Sequence, residues 1–255
     1  MNVTKSIIVN CTDILQDSNF DSELTSQALY GEKVLTLETN DKLTKIQLLT
    51  DNYIGWVDSS SLGDLAKPNY RVLKPRIFLY SKPDIKSKVF TFLSIGSQIN
   101  AHQYSDDWLK LKFKKKNIIL DLFVLKIDVV ETDHKVKDWL ITAKTLLNTP
   151  YLWGGRSSLG LDCSALIQIS LQSIGKSMPR DTFLQKEKND DISNSSKTFD
   201  KGCIIFWDGH VGVMINEKDF LHANAFHMTT VIEPIKNVLY RSRKINSEIT
   251  KVIKI

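Results

Sequence analysis

The chain has 255 residues, 42% of them hydrophobic and 25% charged, and a formal net charge of +5 from 34 basic against 29 acidic side chains. That length holds one large domain or two to three small ones with ordinary cores, and the mixed charge excludes a dedicated nucleic-acid face. No segment approaches the roughly 18 uninterrupted apolar residues of a membrane-spanning helix, and the N-terminus offers only Ile7-Ile8-Val9 as an apolar run. A cytoplasmic location with neither membrane nor nucleic-acid partner is therefore expected. Three widely spaced cysteines, Cys11, Cys163 and Cys203, argue against a disulfide framework.

Taken in chain order, the first 130 residues read as short alternating strands between turns, the pattern of small β-barrels. They contain a weak internal repeat. Leu29-Tyr30-Gly31-Glu32-Lys33-Val34 corresponds to Ser94-Ile95-Gly96-Ser97-Gln98-Ile99, and Lys45-Ile46 to Lys110-Leu111. The turn at Asn40-Asp41 matches that at Ser105-Asp106-Asp107, and Tyr53-Ile54-Gly55-Trp56-Val57 matches Asn117-Ile118-Ile119-Leu120. Lys67-Pro68-Asn69, with Lys74-Pro75 beyond it, separates the copies, giving boundaries of 1–66 and 67–130. The densest basic run, Lys110 to Lys116, alternates with apolar residues and predicts an exposed strand ending in a hairpin tip rather than a polyanion site.

From Lys135 the spacing becomes helical. Val136, Trp139, Leu140, Ala143, Leu146 and Leu147 share one stripe, which predicts a helix ending before Thr149-Pro150. A second helix starts at Cys163 and turns Leu166, Ile169 and Ile174 to a core. The polar stretch from Glu187 to Ser196 predicts a surface loop, and strands follow at 203–207, 210–215, 220–223 and 230–232. Helices first and an antiparallel sheet afterwards describe an α+β domain over 131–255.

The chemistry concentrates in that domain. Tyr151-Leu152-Trp153-Gly154-Gly155-Arg156 and Asp162-Cys163-Ser164 put a cysteine at a helix start, where free N–H groups and the helix dipole favour a thiolate. A nucleophilic thiolate also needs a base, and His210, in Asp208-Gly209-His210-Val211-Gly212, supplies one. His222 follows in Phe220-Leu221-His222-Ala223 as an orienting partner, so Cys163, His210 and His222 form a candidate triad. If the two histidine strands form one hairpin, the imidazoles share a face only across an odd or bulged loop, which predicts such a loop between Met214 and Phe220. Cys163, Cys203, His210 and His222 lack the paired spacing of a zinc site, so neither a metal nor another cofactor is expected.

Together, Tyr151-Leu152-Trp153-Gly154-Gly155, Asp162-Cys163-Ser164, Pro179-Arg180-Asp181, Gly202, His210-Val211-Gly212 and His222-Ala223 resemble the NlpC-type papain-like cysteine peptidases of bacterial cell-wall peptides. The N-terminal repeats resemble the bacterial SH3-like barrels that accompany this domain, chiefly through Tyr53-Ile54-Gly55-Trp56. The resemblance implies two SH3-like barrels before a papain-like α+β domain, in which helices pack on an antiparallel sheet. It implies Cys163 as nucleophile, His210 as general base and then acid, and His222 as the residue orienting His210. It further implies murein-peptide recycling: cleavage between γ-D-glutamyl and a diamino acid in short peptides with a free N-terminal L-Ala. Asp162, Asp181, Tyr53, Arg180 and Tyr151 would be the substrate contacts. Two positions depart from the family pattern, Ala165 for glycine and Cys203 for aspartate. On the sequence alone a cell-wall peptide binding protein and an acyl or amide transferase stay open as alternatives, as do the preferred diamino acid and the oligomeric state.

Overall fold

Strands and tight turns build the N-terminal unit, Met1–Lys135, in the computed structural model, which describes residues 2–115, 118–188 and 199–255. Its first half runs through β1 (Thr4–Ile7), β2 (Cys11–Leu15), β3 (Leu24–Leu29), β4 (Lys33–Thr39), β5 (Leu43–Leu48), β6 (Ile54–Asp58) and β7 (Leu62–Gly63). These pair antiparallel in the order β3-β2-β6-β5-β4-β1-β7. The side chains alternate: Ile46 and Leu48 of β5 are buried while Lys45 and Gln47 between them are not. Ile7, Ile14, Ala28, Val34, Ile46, Leu48 and Val57 meet in one core.

The second half comprises β8 (Tyr70–Val72), β9 (Arg76–Tyr80), β10 (Val89–Ser94), β11 (Gln98–Ile99), β12 (Ala101–Gln103), β13 (Trp108–Lys115), β14 (Ile118–Leu125) and β15 (Val129–Glu131). They form sheets of order β10-β9-β14-β13-β12 and β11-β8-β15. Its backbone repeats that of the first half at a displacement of 65 residues (7 to 72, 31 to 96, 40 to 105). Gly31 N donates to Ile7 O and Gly96 N to Val72 O; Asn40 N donates to Leu43 O and Ser105 N to Trp108 O. Gly31 and Gly96 sit at φ +84° and +87°, a region that disfavours any side chain. The basic run lies on β13, with Leu111 and Phe113 buried and Lys110 and Lys112 flanking Asp121 of β14 at 2.7 and 3.4 Å. Its tip at 116–117 lies outside the described residues.

Tyr30 joins the two halves. Its ring enters the second core and stacks on Phe113 at 5.1 Å, and its carbonyl accepts from Gln98 N at 2.8 Å. A Cβ on Gly31 would lie 1.9 Å from the Gln98 carbonyl oxygen, so this contact admits only glycine.

The second unit, Val136–Ile255, opens with α1 (Trp139–Thr145), β16 (Arg156–Ser157), β17 (Gly160–Leu161), α2 (Cys163–Gln172) and α3 (Thr182–Glu187). It continues with β18 (Cys203–Trp207), β19 (His210–Met214), β20 (Asp219–Asn224), β21 (Thr229–Pro234), α4 (Ile235–Lys244) and β22 (Lys251–Lys254). The sheet is antiparallel in the order β21-β20-β19-β18-β22, and α2 packs on α1, β19 and β20. α1 is shorter than its apolar stripe. Asp138 caps it by accepting from Leu140 N at 2.9 Å, and Val136 lies before it with its N–H on Ser173 O. Asn148, at φ +64°, turns the chain after it.

α4 and β22 extend past the predicted strands, with β22 lining the edge of β18 from Cys203↔Lys254 to Phe206↔Lys251. Cys203 is buried among Trp207, Met214, Phe220 and Val238, so the thiol fills core space. The predicted polar loop falls mostly at 189–198, outside the described residues; Glu187 ends α3.

Candidate active site

Asp162 organises the start of α2. Its Oδ1 accepts from Ala165 N at 2.8 Å, the capping bond of the helix, and from Ser164 Oγ at 3.1 Å. Its Oδ2 accepts from Gly154 N at 3.1 Å, while its own N–H donates to Gly155 O at 3.2 Å. The two glycines of the Gly154-Gly155 pair serve different needs. Gly154 holds φ +71°, and a Cβ on Gly155 would lie 2.6 Å from Gly160 O. Arg180, 2% exposed, closes the network with Nη1 on Oδ1 at 3.0 Å and Nη2 on Oδ2 at 2.6 Å. Five donors meet a carboxylate with about four lone-pair sites, so Asp162 is saturated.

Cys163 therefore occupies the first position of a helix whose cap is held from three sides. Its Sγ lies 3.8 Å from Thr182 Oγ1 and 4.0 Å from Gly209 O, and the Val211 N–H also reaches it. Its own N–H, the first of the helix, has no carbonyl partner within the helix and is available to an oxyanion.

The histidines come from β19 and β20. The register Val213↔Leu221 and Met214↔Phe220 closes through Ile215 N on Asp219 O, leaving Asn216, Glu217 and Lys218 as a three-residue loop. This odd loop puts His210 and His222 on one face, and His210 Nε2 meets His222 Nδ1 at 2.9 Å. Gly212 stands cross-strand from His222 and makes room: a Cβ there would lie 2.5 Å from the Phe220 ring and 2.8 Å from His222 Cβ.

Beyond His222 the structure adds residues outside the candidate triad. His222 Nε2 lies 3.0 Å from Glu233 Oε1 and 3.1 Å from Asn224 Nδ2. Arg241 of α4 clamps Glu233, with Nη1 donating to Oε2 at 2.9 Å and Nη2 donating to Oε1. His227 Nε2 stands 3.3 Å from the same Oε1, and the Arg241 guanidinium stacks on Phe226 at 4.5 Å. A carboxylate eleven residues downstream on the next strand carries no local sequence signal.

Burial dominates the electrostatics. It pushes the Cys163 thiol up to about 11, with the Asp162 charge adding to the rise, so the helix start does not produce the resting thiolate expected from it. Burial pushes His210 down to about 3 and His222 down to about 4; Glu233 opposes both falls. For Glu233 burial acts upward, but the bonds from Arg241 and His222 outweigh it and hold the carboxyl below its ordinary range. The Tyr151 phenol is pushed up to about 12 by burial and by the nearby Cys163 and Asp162 charges, so it remains a donor. The site rests as neutral thiol and neutral imidazoles beside an ionised Glu233.

The substrate-contact residues fare differently. Tyr151 lies close to Cys163 and Asp162. Asp181 stands partly exposed at the start of α3, directly before Thr182, and makes no capping bond to that helix. Asp162 and Arg180 form a buried ion pair, Nη2 to Oδ2 at 2.6 Å, at the start of α2. Tyr53 belongs to the N-terminal unit, where it packs on that core with its hydroxyl 3.5 Å from Thr25 O. Among the described residues no cluster of three or more His, Cys, Asp or Glu has a geometry that would hold a metal ion.

Comparison with known proteins fits this arrangement. Residues 148–247 match the family model "NlpC/P60 family", and residues 14–62 match "Bacterial dipeptidyl-peptidase Sh3 domain". A gamma-D-glutamyl-L-lysine dipeptidyl-peptidase of Bacillus subtilis is 25% identical over 227 residues, spanning 80% of this chain and 73% of the relative. One of the same name from Bacillus cereus is 23% identical, spanning 93% of this chain and 77% of the relative. The crystal structure of an NlpC/P60 family protein from Bacillus cereus superposes with a TM-score of 0.82 at 19% identity, covering 99% of both chains, which shows the fold. The chain thus carries a bacterial dipeptidyl-peptidase SH3 domain and, around Cys163, His210 and His222, a domain of the NlpC/P60 peptidase family, in the papain-like fold.

Proposed function

We propose that this protein is a cysteine peptidase that hydrolyses the γ-D-glutamyl–diamino acid bond of short murein peptides with a free N-terminal L-Ala. The observations that carry the cysteine mechanism are the His210 and His222 pair at 2.9 Å and the Cys163 thiol on the first position of α2, its Sγ 4.0 Å from the carbonyl of Gly209, the residue before His210. The bond specificity rests on the two Bacillus relatives named gamma-D-glutamyl-L-lysine dipeptidyl-peptidase. Three domains, 1–66, 67–130 and 131–255, divide the labour in this reading, the last performing the chemistry.

His210 Nε2 is turned to His222, so Nδ1 is the nitrogen that takes the Cys163 proton. Because the resting pair is neutral, proton transfer and attack of Sγ on the γ-carbonyl carbon of D-Glu proceed together. The oxyanion receives the Cys163 N–H and the Tyr151 hydroxyl. The imidazolium then gives its proton to the departing amine of the diamino acid, leaving a thioester on Sγ. Water, deprotonated by His210, attacks the thioester and frees L-Ala-γ-D-Glu. Asp181, partly exposed at the start of α3, is a carboxylate that pairs with the substrate ammonium.

The test is incubation of the purified protein with L-Ala-γ-D-Glu-meso-diaminopimelate, its L-Lys counterpart and the N-acetylated form of each, with products read by mass spectrometry. Release of L-Ala-γ-D-Glu from the free-amine peptides alone, abolished in Cys163→Ala, is the expected result. Retained binding with no cleavage by the wild-type protein would instead identify a binding protein. Fractionation of the native host checks the cytoplasmic location.

A further inference from the structure

His210, His222 and Glu233 form a chain that steps diagonally across three adjacent strands. His210 lies two residues from Gly212, the position opposite His222 in the β19–β20 register; Glu233 lies two residues from Val231, which pairs with His222. Each step therefore spans the same diagonal, and each is closed by a hydrogen bond, at 2.9 and 3.0 Å.

The Glu233 carboxylate selects one arrangement of protons along this chain. Glu233, ionised under Arg241, can only accept, so His222 Nε2 must carry hydrogen toward it. Asn224 Nδ2, 3.1 Å from the same nitrogen and fixed by His227 N on its Oδ1 at 2.8 Å, also presents hydrogen to it, but the charged acceptor outweighs this neutral donor. With Nε2 protonated, His222 Nδ1 is an acceptor. His210 must then donate from Nε2, which leaves His210 Nδ1 without hydrogen and free to take a proton.

We propose that Glu233, held by Arg241, is a positioning residue of the active site: it sets the tautomer of His222, through it that of His210, and stabilises the imidazolium formed during acyl transfer. This rests on the peptidase reading above and extends it from three residues to a relay of five groups. Glu233 touches neither the substrate nor the thiol. Its effect should fall on turnover and leave substrate binding unchanged. Arg241 supports it at one remove, its guanidinium packed between the carboxylate and the Phe226 ring.

The deciding experiment has two readouts. Long-range 1H–15N spectra of the histidine rings in the wild-type protein report the tautomers without any substrate; the expected result is Nε2–H on both His222 and His210. In the peptide assay, Glu233→Gln, which keeps an acceptor without its charge, should lower kcat by about 10-fold and Glu233→Ala by about 100-fold or more, each with KM within about twofold of wild type. A His222 protonated on Nδ1 in the wild-type spectrum would overturn the proposal, as would a Glu233→Ala protein with kcat within threefold of wild type. Where a variant does not fold, the wild-type spectrum decides. If the wild-type protein cleaves no γ-D-glutamyl peptide, the substrate reading falls while the ring spectra still test the relay.

Discussion

His210 and His222 meet across β19 and β20 at 2.9 Å because the loop between their strands counts three residues, Asn216, Glu217 and Lys218. The Asn216 side chain holds that count, its Oδ1 accepting from Lys218 N and Asp219 N at 2.8 Å each. A single glycine inserted between Glu217 and Lys218 lengthens the loop and leaves the pairs Val213↔Leu221 and Met214↔Phe220 in place, so both imidazoles should stay on one face and peptidase activity should survive. A slip of the register by one would instead turn His222 to the opposite face and lower activity by about 1,000-fold or more. Steady-state kinetics of the one-glycine insertion checks this.

Gly212 makes the space in which the two rings meet. In Gly212→Ala the new methyl would lie 2.5 Å from the Phe220 ring and 2.8 Å from His222 Cβ. Overpacking of this kind costs about 1–3 kcal/mol, and the displaced His222 should lower kcat by about 10-fold or more. Urea denaturation together with steady-state kinetics checks both; unchanged kcat in the folded variant would contradict the geometry.

Asp162 and Arg180 form a buried ion pair that also caps α2 and fastens the Gly154 loop. Asp162→Asn keeps the volume and strands the guanidinium, which should lower unfolding free energy by about 3–5 kcal/mol. Activity should be lost with it, since the cap that places Cys163 is the same group. A variant as stable as the wild type in chemical denaturation would show that the pair is not the anchor described.

Burial pushes both imidazoles below their ordinary value of 6.5, His210 to about 3 and His222 to about 4. As pH falls, the unfolded chain binds these protons before the folded one does. The stabilisation from keeping the rings neutral is therefore complete above about 6.5 and is lost progressively toward 4 and 3. Unfolding free energy should drop between about pH 7 and about pH 5 by roughly 1 kcal/mol per pH unit or more. His222→Asn, with one titrating ring fewer, should show a shallower slope. Equal urea midpoints for the wild type at the two pH values would contradict the neutral, buried state of the pair.

Much of the site was legible because its signals are local. Asp162 caps the helix it precedes, Cys163 follows by one residue, Gly154 N donates to the same carboxylate from eight positions upstream, and Gly155 O accepts from the Asp162 N–H. Parity along a strand told that His210 and His222 share a face only over an odd loop. The internal repeat was visible at Gly31 and Gly96, where a positive φ demands the same residue twice.

What the chain's neighbours along the sequence could not reveal depends on partners far from them. Asp162, Asp181 and Arg180 stand alike in the sequence as expected substrate contacts; only the fold carries Arg180 back onto Asp162 as a buried ion pair. The helix start argues for a thiolate at Cys163, but burial, a property of everything packed around α2, pushes the thiol the other way. Glu233 and Arg241 are ordinary charged residues until β21 pairs with β20 and α4 folds over the strand it follows. The sequence by itself determined the kind of chemistry and where along the chain it lies, because caps, turns and strand parity act over a few residues. Tertiary structure alone decided which charges are paired inside the protein and which groups face each histidine ring, because desolvation and cross-strand contact are set by groups that meet only in the folded state.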